Sequence, residues 1–391
     1  MINIRDKKKC CGCSACYSIC PQKCIDMISD EEGFKYPKVD IKKCIDCHLC
    51  EKTCPILNKE EPAFKINKAL IGRDNRKDII RRSTSGGIFT SLMEYALENN
   101  GVIYGVICDE NNVIRHARIM NKEDNNFNKV PGSKYVQSEI TGVFQMVRDD
   151  LINNKFVLFS GTPCQVAGLK KYLQKDYANL FSVDVVCHGT PSPLLWKKYV
   201  YHQESKYKSK IVGVHFRNKT YGYHSGSMKL IFDNGKVYYG SARVDLFLKA
   251  FFSDLCSRPS CYACPFKSIH HVSDLTLFDC WSPEKLNDKI IDDDKGFTNI
   301  IVQSSRGNEM LDSLKEKLTI YSSDINMAVQ YDGIMINNSV EWNKKREIFF
   351  HNLQDQELSM HCKNFLKISI LDKIIEKSKN IYYWKKKNEN R

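Results

Sequence analysis

Two cysteine quartets near the start of the chain constrain what it can fold into more than any other feature. Cys10, Cys13, Cys16 and Cys20 precede Pro21 in the spacing C-x2-C-x2-C-x3-C-P, and Cys44, Cys47, Cys50 and Cys54 repeat that spacing before Pro55. Cysteines at intervals of three wrap one cubane, and the longer last step turns the fourth cysteine towards the other cluster. The expected assignment is therefore crossed. Cys10, Cys13, Cys16 and Cys54 hold one 4Fe-4S cluster, and Cys44, Cys47, Cys50 and Cys20 hold the second. Two structural zinc sites are the competing reading, although zinc rarely uses this compressed triple followed by Cys-Pro. The segment between the quartets, with a turn at Glu32-Gly33-Phe34, completes the duplication of a small ferredoxin and leaves Cys11 and Cys24 over.

Such a module moves single electrons, so the remaining three hundred or so residues should hold the component that uses them. The chain has 391 residues, 42% hydrophobic and 27% charged, which suits a large core in two or three domains and excludes a disordered or fibrous chain. No apolar run is long enough to span a bilayer, and the charged first residues have no apolar stretch behind them, so the expected location is the cytoplasm. In that compartment the 18 cysteines are metal ligands or redox groups rather than disulfides. The net charge of +13 is reduced by thiolate-bound clusters. The remaining excess suits an acidic redox partner or polyanionic ligand, and with no nucleic-acid motif beside it, no nucleic-acid role is expected.

After a polar linker at 58–67 the chain alternates short apolar runs with amphipathic segments, the α/β pattern. Strands are expected at 68–73, 101–107, 156–160 and 181–187, with helices at 86–98, 142–153 and 165–174. Antiparallel strands follow at 211–217 and 228–239, the latter turning at Asp233-Asn234-Gly235. A helix at 247–255, strands at 275–278 and 298–303, and helical sequence from 307 onward complete the reading, with only about the last seven residues disordered. The fold class is α+β: a small ferredoxin domain, then a larger α/β domain with a mixed sheet and a helical C-terminal region. The boundaries are 1–60 for the ferredoxin domain, 61–150 and 151–350 for the two parts of the larger one, and 351–391 for a helical tail.

Three motifs in the larger part carry chemistry. Ser83-Thr84-Ser85-Gly86-Gly87, preceded by Arg82, stands ahead of a helix whose N-terminus could take a flavin phosphate; a serine-rich cap with glycines for tight packing is the alternative. Cys164 opens a helix after a buried strand, and Cys187-His188-Gly189 ends the next strand, on the same sheet edge if the two are parallel. Cys261 and Cys264-Pro265 repeat the local step of the quartets. Cys164, Cys187, Cys261 and Cys264 form the candidate ligand set of a third 4Fe-4S cluster, with Cys256 as substitute. Zinc with His270 or His271, or plain buried thiols, are the other readings. No hydrolase or nucleotide-binding motif occurs, and no catalytic residue is assigned.

Together these features resemble the beta-subunit family of coenzyme F420 hydrogenase/dehydrogenase, in the form with an N-terminal dicluster ferredoxin. Further matching segments are Gly132 to Ser138, Phe216 to Lys219, Cys261 to Phe266 and Asp274 to Trp281. The resemblance implies FAD beside an iron-sulfur cluster, exchanging hydride with a reduced deazaflavin or another donor. Carried over, Ser83, Thr84, Ser85, Gly86 and Gly87 with Ser133, Lys134, Tyr135 and Gln137 lie along the flavin. Lys134 then offsets the charge of its reduced N1/C2 edge. The chain departs from the family pattern at Phe278-Asp279-Cys280-Trp281-Ser282 and around His270-His271, which bears on deazaflavin specificity. The implied function is an iron-sulfur flavoprotein oxidoreductase working with a redox partner protein or a coenzyme F420-like or nicotinamide donor. Bacterial relatives of this architecture often serve surface-polysaccharide synthesis. A ferredoxin-type adaptor without its own turnover is the alternative.

Overall fold

The duplication read from the quartets is visible in the backbone of the protein, described here by a computed structural model over residues 1–59 and 68–389. In each quartet the second and fourth residues after the first cysteine are left-handed: Gly12 and Ser14 in one, Asp46 and His48 in the other. Each left-handed turn leads into a short helix, Ala15–Ile19 or Leu49–Lys52. Strands β1 (Ile25–Ser29) and β2 (Lys35–Val39) pair antiparallel across the Glu32-Gly33-Phe34 turn. Most of the expected linker, 60–67, lies outside the described residues.

The larger part is built on an eight-stranded mixed sheet. Its strands are β3 (Ala69–Asp74), β4 (Val102–Cys108), β5 (Ile114–Ile119), β6 (Val157–Gly161) and β7 (Leu180–Val185). The chain then forms a separate three-stranded antiparallel sheet of β8 (Ile211–Asn218), β9 (Ser227–Phe232) and β10 (Val237–Gly240), with the Asp233-Asn234-Gly235 turn joining the last two. It returns to the main sheet as β11 (Leu275–Cys280), β12 (Phe297–Val302) and β13 (Leu318–Ser323), giving the order β13-β3-β12-β11-β7-β6-β4-β5. The four strands β11, β7, β6 and β4 run parallel, while β5 and the β12-β3-β13 side are antiparallel. Apolar side chains of helices Ile88–Glu98 and Ser305–Ser313 join one core with the sheet, and those of Val143–Ile152 and Pro163–Leu173 join another.

Two sequence expectations need correction. Residues 318–323 form the edge strand β13 instead of continuing a helix, because Leu-Thr-Ile-Tyr alternates in the manner of a strand and pairs with β3 from Leu318 to Ser323. The final helix, Ile370–Glu389, also extends through most of the tail expected to be disordered. Among the described residues no helix is long and apolar enough to cross a membrane.

The ferredoxin part is docked rather than tethered. Phe34 is fully buried in a core shared with helices Pro193–Tyr207 and Leu246–Phe252 and with β8 and β9. Gly33 adopts φ +85°, and a Cβ there would lie 2.6 Å from the Leu194 nitrogen, so only glycine allows this approach. Glu32 forms a two-pronged ion pair with Arg346, whose Nε and Nη2 also donate to the Ser257 carbonyl. Both side chains are nearly out of solvent. Glu32→Gln leaves Arg346 buried without its counter-charge and is expected to lower stability by about 3–5 kcal/mol. Urea unfolding of the full chain measures this, and an unchanged midpoint would show that the pair contributes nothing.

Candidate functional site

The two quartets sit in different surroundings. Cys54 lies close enough to Cys10, Cys13 and Cys16 to interact with them, and Cys50 of its own quartet lies close to Cys16 and Cys54 as well. Burial, reinforced by these neighbours, raises the Cys16 thiol. Cys20, Cys44, Cys47 and Cys50 line a second small cavity with Cys24, whose Sγ is 3.4 Å from that of Cys20. The first quartet faces inward: Cys13 packs against Gly168, where an added Cβ would come 2.8 Å from its sulfur. In the second, Cys47 is exposed.

The four cysteines of the larger part are also brought together. Because β6 and β7 are parallel neighbours, Cys164, in the first turn of helix Pro163–Leu173, and Cys187, just past β7, emerge on one edge of the sheet. A short 3-10 helix, Pro259–Ala263, brings Cys261 and Cys264 to the same place, and all four line one small cavity. Burial pushes the Cys264 thiol up to about 12 and raises those of Cys187 and Cys261. Cys11 interacts with both Cys13 and Cys164, and so lies between the first quartet and this group. Among the described residues no three side chains converge as ligands on a single ion. A cubane needs no such convergence, since each iron takes one protein thiolate.

The other candidates for this group separate clearly. Cys256 is a fully buried thiol in the core around Phe34, and Cys280 is buried in another core. His270 does not line the four-cysteine cavity, whereas His271 does. His271 Nδ1 is held by Asp184 at 3.0 Å and Thr276 at 3.1 Å, and its buried Nε2 has no hydrogen-bond partner. Burial opposes charge on His271, but Asp184 outweighs it and raises its pKa. The loop bearing Cys164 is fixed by a chain of hydrogen bonds. Thr162 N–H donates to Gln165 Oε1, Gln165 Nε2 donates to Ser138 Oγ, and Ser138 is 3.1 Å from His116 Nδ1. Burial lowers the His116 pKa to about 4, so it is a neutral core residue.

Next to the four-cysteine group, and sharing Cys164 and Cys187 with it, lies a cavity of about 580 Å³ at the C-terminal ends of the parallel strands. Its volume falls in the range of small-molecule and cofactor sites. Ser83, Thr84, Ser85, Gly87, Ser133, Lys134, Tyr135 and Gln137 all line it, as does Cys11. Gly86 does not: its N–H donates to Thr298 Oγ1 at 2.9 Å, and a Cβ there would lie 2.4 Å from the Gly72 carbonyl oxygen. Its glycine serves packing. No side chain caps helix Ile88–Glu98, whose N-cap is left-handed Gly87, so the serine-rich run is not a side-chain cap, and first-turn N–H groups remain for a ligand. Thr84 Oγ1 instead accepts from Ser133 N–H at 2.9 Å, joining the two loops.

Two cations in this wall differ in what they can do. Lys134 donates to the carbonyls of Lys129, Val130 and Gly132, which uses all three of its hydrogens inside its own loop. Burial lowers its pKa to about 7. Its ammonium is therefore a loop clasp and not a donor waiting for a ligand. Arg217 pairs with Asp279 through Nη1, lies 4.0 Å over the Trp281 ring, and keeps a buried Nη2 without a hydrogen-bond partner. Arg217, Asp279 and Trp281 were not among the sequence-derived site residues, although they lie in the segments that carry the resemblance; the pairing across 62 positions has no local signal.

Residues 9–57 match the 4Fe-4S dicluster domain. Residues 69–145 and 154–327 match coenzyme F420 hydrogenase/dehydrogenase, beta subunit, N-terminal and C-terminal parts respectively. No curated protein matches the chain. Among solved structures the chain is similar to one from the xenon derivatization of the F420-reducing NiFe hydrogenase complex from Methanosarcina barkeri. The identity is 16%, covering 76% of this chain and 90% of that one, with a TM-score of 0.45. With both halves of the beta subunit matched in order behind a dicluster domain, the chain belongs to the coenzyme F420 hydrogenase/dehydrogenase beta-subunit family and is an iron-sulfur oxidoreductase subunit.

Proposed function

We propose that the chain is an iron-sulfur flavoprotein oxidoreductase. Electrons pass between the two N-terminal clusters, a third 4Fe-4S cluster on Cys164, Cys187, Cys261 and Cys264, and FAD in the large cavity. The observation that carries this reading is that Cys164 and Cys187 belong to both cavities, while Cys11 reaches Cys164 from the first quartet. A flavin, when bound, exchanges hydride with a donor and single electrons with clusters. Around it the N–H groups opening helix Ile88–Glu98, with Ser83, Thr84 and Ser85, offer donors to a phosphate. Phe216, Phe251, Phe252 and Trp281 line the cavity and would shield the ring system from water, and the unpartnered Arg217 Nη2 would donate to an acceptor oxygen of the bound molecule. The donor is a coenzyme F420-like or nicotinamide compound, and a redox partner protein reaches the clusters from the side of exposed Cys47.

Three measurements test this. Anaerobically purified protein should show iron-sulfur absorption and release FAD at about one per chain. Clusters without flavin, unrestored by added FAD, would instead favour an electron-transfer adaptor. Cys164→Ser should lower the iron content by about four per chain, as expected for one cubane, and unchanged iron overturns that ligand set. Arg217→Met, which removes a charged hydrogen bond, should weaken FAD binding about 10- to 100-fold with iron content retained. Equal affinity in wild type and variant would remove Arg217 from the flavin site.

A further inference from the structure

Arg258 is, among the described residues, the most deeply buried arginine, 1% exposed, and it lies beside Cys10 of the ferredoxin part, near Cys261, and against Gln137 of the cavity wall. It is presented by the segment that continues into the 3-10 helix carrying Cys261. Its Nε donates to the Cys10 carbonyl at 2.7 Å, and its Nη2 donates to the Lys35 carbonyl at 2.8 Å and lies 3.5 Å from Cys10 Sγ. Its Nη1 donates to Gln137 Oε1 at 2.8 Å, and the guanidinium stacks 4.2 Å from the Tyr36 ring. Gly12, inside the first quartet, is glycine partly because a Cβ would come 2.8 Å from Nη1.

Among the described residues Arg258 is in no ion pair with a carboxylate; the nearby Glu32 is held by Arg346. A guanidinium buried this far is costly unless an opposite charge meets it. Its polar partners are carbonyls, an amide and the sulfur of Cys10, so the available counter-charge is that of a thiolate-bound cluster. Four thiolates outweigh the positive iron-sulfur core, and reduction adds one further negative charge. A fixed cation with an N–H aimed at a ligand sulfur therefore favours the reduced cluster, net charge and hydrogen bonds to sulfur being the protein's means of setting the potential. The second quartet is held differently. Among the described residues no guanidinium bonds to its sulfurs: Ile2 N–H donates to Cys50 Sγ at 3.2 Å, and the cation lining its cavity is the Met1 amino group, already paired with exposed Asp46, the counterpart of Gly12.

We propose that Arg258 is the counter-charge of the cluster on Cys10, Cys13, Cys16 and Cys54, raising its reduction potential so that electrons collect at the cluster beside the flavin cavity. Arg258 is a positioning residue in this role, and the proposal rests on that ligand assignment. The test is a redox titration of the full chain, purified anaerobically and followed by electron paramagnetic resonance. In Arg258→Gln one cluster potential should fall, making reduction at least tenfold less favourable (about 59 mV for a one-electron couple), while the others stay in place. Arg258→Lys, which keeps the charge, should recover most of the shift. Gln137→Glu sets a carboxylate against Nη1 without emptying the site and should lower the same potential. It decides the matter if Arg258→Gln loses iron. Unmoved potentials in iron-replete variants overturn the role of Arg258, as does a lysine variant shifted as far as glutamine. Wild-type protein without iron-sulfur signals would instead overturn the ligand assignment itself.

Discussion

Arg346, buried in the C-terminal helical region, reaches both carboxylate oxygens of Glu32 across 314 positions of sequence, and the seating of the ferredoxin part on the larger one depends on that pair. Glu32 stands in the turn between β1 and β2, beside the glycine that meets the Leu194 backbone and the phenylalanine that enters the core of the larger domain. An unpaired charge in such a place strongly disfavours the docked state, so pairing selects one orientation of the ferredoxin domain from the many that apolar contact alone would permit. That orientation carries the inner quartet onto helix Pro163–Leu173, with Cys13 against Gly168, and brings Cys11 to Cys164.

Docking breaks the symmetry of the duplication. The two quartets have the same spacing and the same pair of left-handed turns, yet Gly12 is pressed against Gln137 and Arg258 while its counterpart Asp46 is exposed. Two clusters with identical ligands would have similar potentials in equivalent surroundings. Burial and a fixed cation beside Cys10, and exposure at Cys47, make the two surroundings unequal although the ligand spacing is the same.

The features legible in the sequence were those set by local spacing or by sheet geometry. The quartets follow from spacing. The meeting of Cys164 and Cys187 follows from two successive strands being parallel, which puts their following loops on one edge. The seats of Arg258, Arg217 and Arg346 have no such signature, because each finds its partners through tertiary pairing over 62 to 314 positions. Nor does a sequence say which of a lysine's possible partners lies nearest. Lys134 stands on the cavity wall, but its ammonium is taken up by three carbonyls of its own loop. Cys256 shows the same limit, since its position beside Cys261 suggested a ligand and its burial among aromatic side chains makes it a packing residue.

The thiols tie folding to cofactor loading. Burial holds Cys264 near 12 and keeps Cys187, Cys261 and Cys16 protonated around neutral pH, so the metal-free sites carry little negative charge. A metal-bound cysteine is a thiolate, so loading iron at such thiols would require those protons to leave. Arg258 stands near Cys10 and Cys261, and its hydrogen bonds run to two carbonyls, the Gln137 amide oxygen and the Cys10 sulfur, with no carboxylate among them. A negatively charged group held at Cys10 would lower the cost of that burial. The Glu32–Arg346 pair carries its own counter-charge and is not subject to that condition. The ferredoxin turn is thus fixed by a pair complete within the polypeptide, whereas the buried guanidinium beside Cys10 has no carboxylate to balance it.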